Sequence, residues 1–209
     1  MYKFLIILAL IAALIGGFAI YKLYHYEIQA TDIILSDCVD STEIVALSDI
    51  QQKRKYYPKY LAIHCTGSVP SKDWTMRDVN RIFKERGFDV PGYHVIINPS
   101  GNEIWTYTPN KDYLNYSDIR WGITGINSQC IHIATVSGYG KPTDNRTKAQ
   151  KNKLIILIKK IKELYPSIKY VQGHRDFLNN NPQHKICPGY SVGSWLKEHE
   201  DELNALNNK

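Results

Sequence analysis

The chain has 209 residues, 44% of them hydrophobic and 22% charged, with a formal net charge of +6 and a pI near 9.0. That length and balance exclude a disordered or fibrous chain, and they leave room for one domain with a full core and some extension. The positive charge suits a solvated basic surface or attraction to a polyanion (nucleic acid, an anionic membrane, an acidic cell wall), and charge alone does not choose among these.

Residues 4–21, FLIILALIAALIGGFAIY, carry no charge. As a helix rising 1.5 Å per residue the run is about 27 Å long, against about 30 Å for a hydrocarbon core. It exceeds the roughly 7–15 residues of a signal-peptide h-region, so residues 1–24 read as an uncleaved transmembrane signal-anchor. Lys3 flanks one side, and Glu27, Asp32 and Asp37 follow Lys22 on the other, which points the C-terminal part outward. The expected localisation is a single-pass membrane protein with its globular part on the extracytoplasmic side. The alanines and glycines of the anchor make it weakly hydrophobic, which permits release from the membrane. Residues 25–58 read as a membrane-proximal stalk and 59–209 as the globular domain.

From residue 60 the signals sharpen. YLAIHCT (60–66) reads as a buried strand ending in polar residues. Residues 71–88 read as a helix with Trp74, Val79, Ile82 and Phe83 on one face and Gly87 as its stop. Two β-rich runs flank the turn PSGN at 99–102, the clearest hairpin in the chain. Residues 129–136 form another strand. Residues 144–166 form a helix with Thr147 as N-cap, apolar residues at three-four spacing, and Pro166 past its end. Residues 168–174 give a last strand, and 191–206 a terminal helix. Strands and helices intermix without regular βαβ alternation, so the expected class is α/β, a mixed central β-sheet flanked by helices and preceded by the transmembrane helix.

Chemistry concentrates in GHRDFLNNNPQHKICPGY, residues 173–190. His174 and Cys187 are metal-ligand types, and His64, at the end of a strand where its side chain can emerge into a cleft, is the candidate third. Two His and one Cys would hold zinc with a fourth position open for water. Each alone means little, since a lone His or Cys is more often packed in a core. No Cys-x-x-Cys pair, zinc-finger spacing, helix-turn-helix or RNA-binding signature appears, so no nucleic-acid partner is expected.

Five motifs occur in order: Ile63-His64-Cys65-Thr66, Gly92-Tyr93-His94, GINS at 125–128, Gly173-His174-Arg175-Asp176, and Lys185-Ile186-Cys187-Pro188. With them, residues 60–196 resemble the zinc-dependent N-acetylmuramoyl-L-alanine amidases, in the superfamily of type 2 and phage lysozyme-type amidases and peptidoglycan recognition proteins. The resemblance implies a mixed sheet with a metal groove on one face. It implies His64, His174 and Cys187 as Zn2+ ligands and Tyr93 and Lys185 as catalytic auxiliaries. The implied reaction is hydrolysis of the amide between N-acetylmuramic acid and the L-alanine of the stem peptide. Lys185 would set a cation where the tetrahedral oxyanion develops, and Tyr93 would orient the water or share that contact. Many relatives carry a His before the Gly-x-Asn-Ser stretch; here the segment reads DIRWGITGIN, leaving Trp121 and Asn127 as candidate substrate contacts.

His94 is read as structural, facing away from Tyr93; His132 as a packed strand residue close to the groove; His184 as solvated. Arg175 and Asp176 are read as braces of the ligand loop. With Cys187 on a metal, Cys38, Cys65 and Cys130 allow at most one disulfide. The expected partners are bacterial peptidoglycan and, through the N-terminal helix, the membrane, with the chain a monomer. The alternative is a recognition module of the same fold that binds peptidoglycan without cutting it. Such members typically lose the cysteine ligand, which this chain keeps. A phage endolysin, a wall-remodelling enzyme and an antibacterial effector all fit the same reaction.

Overall fold

The structure, a computed structural model, describes residues 50, 52–110, 112–139, 144–177 and 186–205. All but the first belong to the unit Gln52–Lys209. Five strands form one sheet: β1 (Tyr60–Cys65), β2 (Val95–Ile97), β3 (Glu103–Trp105), β4 (Cys130–Thr135) and β5 (Tyr170–Gly173), in the order β3-β2-β4-β1-β5. β3 is antiparallel to β2, the hairpin expected around residues 99–102, and the other pairings are parallel. The sheet is therefore mixed, as expected.

Side chains alternate faces along a strand, and here the alternation sorts residues by role. Leu61, Ile63, Val95, Ile97, Ile131 and Ile133 share one face and pack in the main core with α2 (Lys148–Leu164) and α3 (Val192–Glu198). Ile96 and Ala134 point to the other face, which α1 (Met76–Glu85) covers with Val79 and Phe83. By the same alternation His64 and His132 fall on the α1 side, so one sheet face is hydrocarbon and the other carries imidazoles.

The long helix α2 begins where expected. Thr147 caps it, accepting from the Gln150 N–H while the Gln150 side chain accepts from the Thr147 N–H, a reciprocal box that satisfies two otherwise orphaned donors. Leu154, Leu157, Ile158 and Ile161 recur at three-four spacing and are buried. Truncating fully buried Leu157 to alanine removes core contacts and leaves a cavity; the expected loss is about 2–5 kcal/mol of unfolding free energy, read as a lower urea midpoint at unchanged slope.

Two elements differ from expectation. α1 starts at Met76 rather than near residue 71, because the Asn98 side chain takes both the N–H and the carbonyl of Trp74, tying that segment to the sheet before the Thr75–Asp78 capping box opens the helix. The terminal helix is broken into α3 and α4 (Glu200–Ala205) at His199, whose Nδ1 hydrogen bonds the Trp195 carbonyl and closes the first piece. Residues 1–24, and all of the expected stalk before residue 50, lie outside the described residues. Among the described residues no helix is long and apolar enough to cross a membrane. The longest, α2, spans 17 residues and carries lysines at 148, 151, 153, 159, 160 and 162.

Candidate active site

Register builds the site. β1 and β5 are parallel neighbours, with Ile63 paired to Gly173; the next residue on each is a histidine, so His64 and His174 emerge side by side at the carboxyl ends of the strands. That edge is where open α/β sheets place their ligands. His64 Nδ1 lies 3.2 Å from His174 Nδ1 and 3.9 Å from Cys187 Sγ. One donor atom from each of the three residues falls within 4.8 Å of the others. His64 is fully buried, and His174 is 8% exposed.

Two hydrogen bonds fix the ligand loops. The Arg175 N–H donates to the Cys187 carbonyl at 3.0 Å, joining the segments that carry His174 and Cys187. Asp176 Oδ2 accepts the Gly173 N–H at 2.8 Å, so both expected braces act, Arg175 through its backbone. The donor set fits zinc. Bonds of about 2.0 Å to nitrogen and 2.3 Å to sulfur at tetrahedral angles require donor separations of about 3.3 Å (N to N) and 3.5 Å (N to S), within a few tenths of an ångström of the 3.2 and 3.9 Å present.

Sequence reasoning missed a second thiol here. Cys65 donates its N–H to Cys187 Sγ at 3.3 Å, and its sulfur sits against Gly138, where a Cβ would lie 2.5 Å from Sγ. The two thiols are pushed apart: the side-chain hydrogen bond with Cys187 lowers Cys65 to about 7, and the same contact, with burial, pushes Cys187 well above its ordinary value. Coordination would reverse that order, because a metal-bound thiol is deprotonated outright. Its adjacency to His64 in the sequence was the available signal.

The Tyr93 ring centroid lies 5.0 Å from that of His64, and the ring is edge-on to Phe83 at 5.5 Å. Burial, then the charges of Cys187 and Cys65, raise the phenol far above its ordinary value, so it remains a hydroxyl. Lys185 and His184 lie outside the described residues. Trp121, 53% exposed, and Asn127 line a groove of about 460 Å³ together with Phe88, Val90 and Thr124. The Asn127 side chain also accepts the Ile123 N–H at 2.7 Å, closing its loop.

His94 does not face away from the site. β2 begins only at Val95, so strand alternation does not separate Tyr93 from His94; the His94 ring stacks on His132 at 5.4 Å and its Nδ1 accepts the His132 N–H. His132, read as a packed strand residue, meets His64 Nε2 with its own Nδ1 at 3.1 Å. Burial first, then the charge of His174, lowers His132 to about 3, so it is neutral.

No protein-family model matches the sequence. The endolysin of Klebsiella phage KP32 is 24% identical over 157 residues, 74% of this chain and 95% of the relative. The endolysin of Enterobacteria phage T3 is 26% identical over the same shares. Among solved structures, an N-acetylmuramoyl-L-alanine amidase of Clostridium intestinale covers 71% of this chain and 91% of its own at a TM-score of 0.53 and 20% identity, a likeness of fold. In sequence the chain is similar to phage endolysins, and in fold to an N-acetylmuramoyl-L-alanine amidase.

The similarity to endolysins corrects the expected localisation. The single-pass membrane protein read from residues 4–21 is overturned by relatives that are endolysins, matched along nearly their whole length, and no described helix is long and apolar enough to span. The physical reason lies in the run itself: eighteen residues is the lower bound for a span, and its alanines and glycines bring little apolar surface.

Proposed function

We propose that the chain is a peptidoglycan hydrolase, an N-acetylmuramoyl-L-alanine amidase, with residues 59–209 as its catalytic domain. The observation that carries this reading is the convergence of His64, His174 and Cys187 at one sheet edge in a chain that aligns with 95% of the length of phage endolysins.

His64, His174 and Cys187 would hold zinc, leaving a fourth position open. When bound, zinc supplies Lewis acidity toward the amide carbonyl and toward a water. The residues of the chain do the rest. Tyr93, protonated at every working pH, is a fixed hydrogen-bond donor beside His64, suited to the oxygen on which negative charge develops. Lys185, two residues before Cys187 in the sequence, is the proposed second auxiliary, a cation to offset the charge of the oxyanion. Water adds its hydroxyl to the lactyl carbonyl carbon, the C–N bond breaks, and the alanine amine leaves with a proton. Trp121 and Asn127 are the proposed contacts to the substrate beyond the scissile bond.

Purified sacculi incubated with the full chain are expected to release new N-terminal alanine without new reducing sugar ends. Chelation should abolish the release and added zinc restore it. Sacculus binding with no alanine released would instead establish the recognition module.

A further inference from the structure

The row of histidines behind the metal ligands is not required to fill space. His64, His132 and His94 are all fully buried, and their positions follow from register. Ala62 on β1 pairs with His132 on β4, so His132 lies one step behind His64 on the same sheet face, and their rings meet at 5.2 Å. The contact is between His64 Nε2 and His132 Nδ1, at 3.1 Å.

The two nitrogens of His64 thus face different tasks. Nδ1 is turned toward His174 and Cys187 and must present a lone pair to coordinate. A neutral imidazole carries one proton, so that proton belongs on Nε2. Nε2 is buried against His132, and an N–H there needs an acceptor. A neutral His132 provides one at Nδ1 when its own proton sits on Nε2, which leaves the Nδ1 lone pair facing His64 Nε2.

Gly122 reinforces the point. A Cβ on Gly122 would lie 2.6 Å from His132 Nδ1 and 2.8 Å from its Cγ. The absent side chain lets the ring sit where its Nδ1 reaches His64. On the other side, the His132 backbone N–H is tied to His94 Nδ1 at 2.9 Å, and the two rings stack at an interplanar angle of 23°. The ring is therefore held by its backbone, by a stacked neighbour and by a glycine.

We infer that His132 is a positioning residue that fixes the metal-binding tautomer of His64 by accepting its Nε2–H, a task that metal-binding sites commonly give to a carboxylate or a carbonyl. This rests on the proposed metal site. Because the acceptor is neutral, it selects the tautomer without adding a negative charge beside the ligands.

The test uses the full-length chain and three variants. His132→Phe keeps the ring volume and removes the acceptor. His132→Asn places an amide oxygen near the position of Nδ1. Gly122→Ala retains all three histidines and displaces the His132 ring. Zinc affinity is measured by chelator competition, and the His64 tautomer in the zinc-free protein by long-range proton–nitrogen NMR spectra. His132→Phe and Gly122→Ala are expected to bind zinc roughly 10–100-fold more weakly than wild type, and to lose the pure Nε2–H signature of His64. His132→Asn should recover both. Equal zinc affinity in wild type and His132→Phe, with His64 unchanged, would overturn the role of His132 and leave the metal site standing. A wild-type chain that takes up no zinc would overturn the metal site itself.

Discussion

Replacing Cys187 with alanine is expected to lower alanine release from sacculi by at least about a thousand-fold, the scale set by losing several kcal/mol of metal-derived stabilisation at 1.36 kcal/mol per tenfold. The zinc-free variant should unfold close to the zinc-free wild type. Cys187 contributes little to packing: its sulfur contacts the Cys65 backbone and His64, and the ligand loop is held by the Arg175 N–H on the Cys187 carbonyl, which alanine keeps. The difference appears when zinc is added. Wild type should gain stability with rising zinc, as any protein does whose native state alone binds the ligand, and the variant should gain far less. The same variant separates hydrolysis from recognition. Retained sacculus binding with lost release assigns the cysteine to chemistry, whereas undiminished release would remove Cys187, and with it the three-ligand site, from the mechanism.

The fold was legible where local chemistry decides it. The apolar run YLAIHCT reads as a buried strand with His64 at its end, and β1 spans Tyr60–Cys65. Thr147 reads as a helix N-cap, and the helix begins at Lys148. What the sequence could not carry was set by distant partners. Asn98 delays α1 by binding the backbone of Trp74, 24 positions away. The terminal segment reads as one helix over 191–206, yet one imidazole on one carbonyl ends its first piece at His199.

The site divides along the same line. His64, His174 and Cys187 were found through motifs in order, and the parallel pairing of β1 with β5 supplies the reason they meet. The parts that His132 and Cys65 play depend on register and a backbone contact: His132 reaches His64 from a diagonal position on β4, and Cys65 donates its N–H to Cys187 Sγ. A strand histidine in an apolar run looks like packing until the neighbouring strand is known. Residues 4–21 illustrate the opposite failure, a local pattern strong enough to suggest a span that the relatives of the chain overturn.

Tyr93→Phe isolates the phenol oxygen. The ring stays, with its edge against Phe83 and its contact with His64, so folding and zinc content should match wild type. What disappears is the hydroxyl proposed as a donor to the charge that develops during the reaction. Removing one such donor is expected to lower kcat about 10²–10³-fold with KM nearly unchanged, because a contact made only in the transition state contributes nothing to ground-state binding. The pH profile adds a second readout. Burial and the neighbouring thiols hold the phenol protonated far above its ordinary value, so wild-type activity should show no falling limb near pH 10 from Tyr93, the ordinary range for a tyrosine. The alkaline limbs of wild type and Tyr93→Phe should then coincide, displaced in height and not in position. A limb near pH 10 that vanishes in the variant would mean the phenol works as its anion, a base rather than a donor, and the assignment of Tyr93 would reverse.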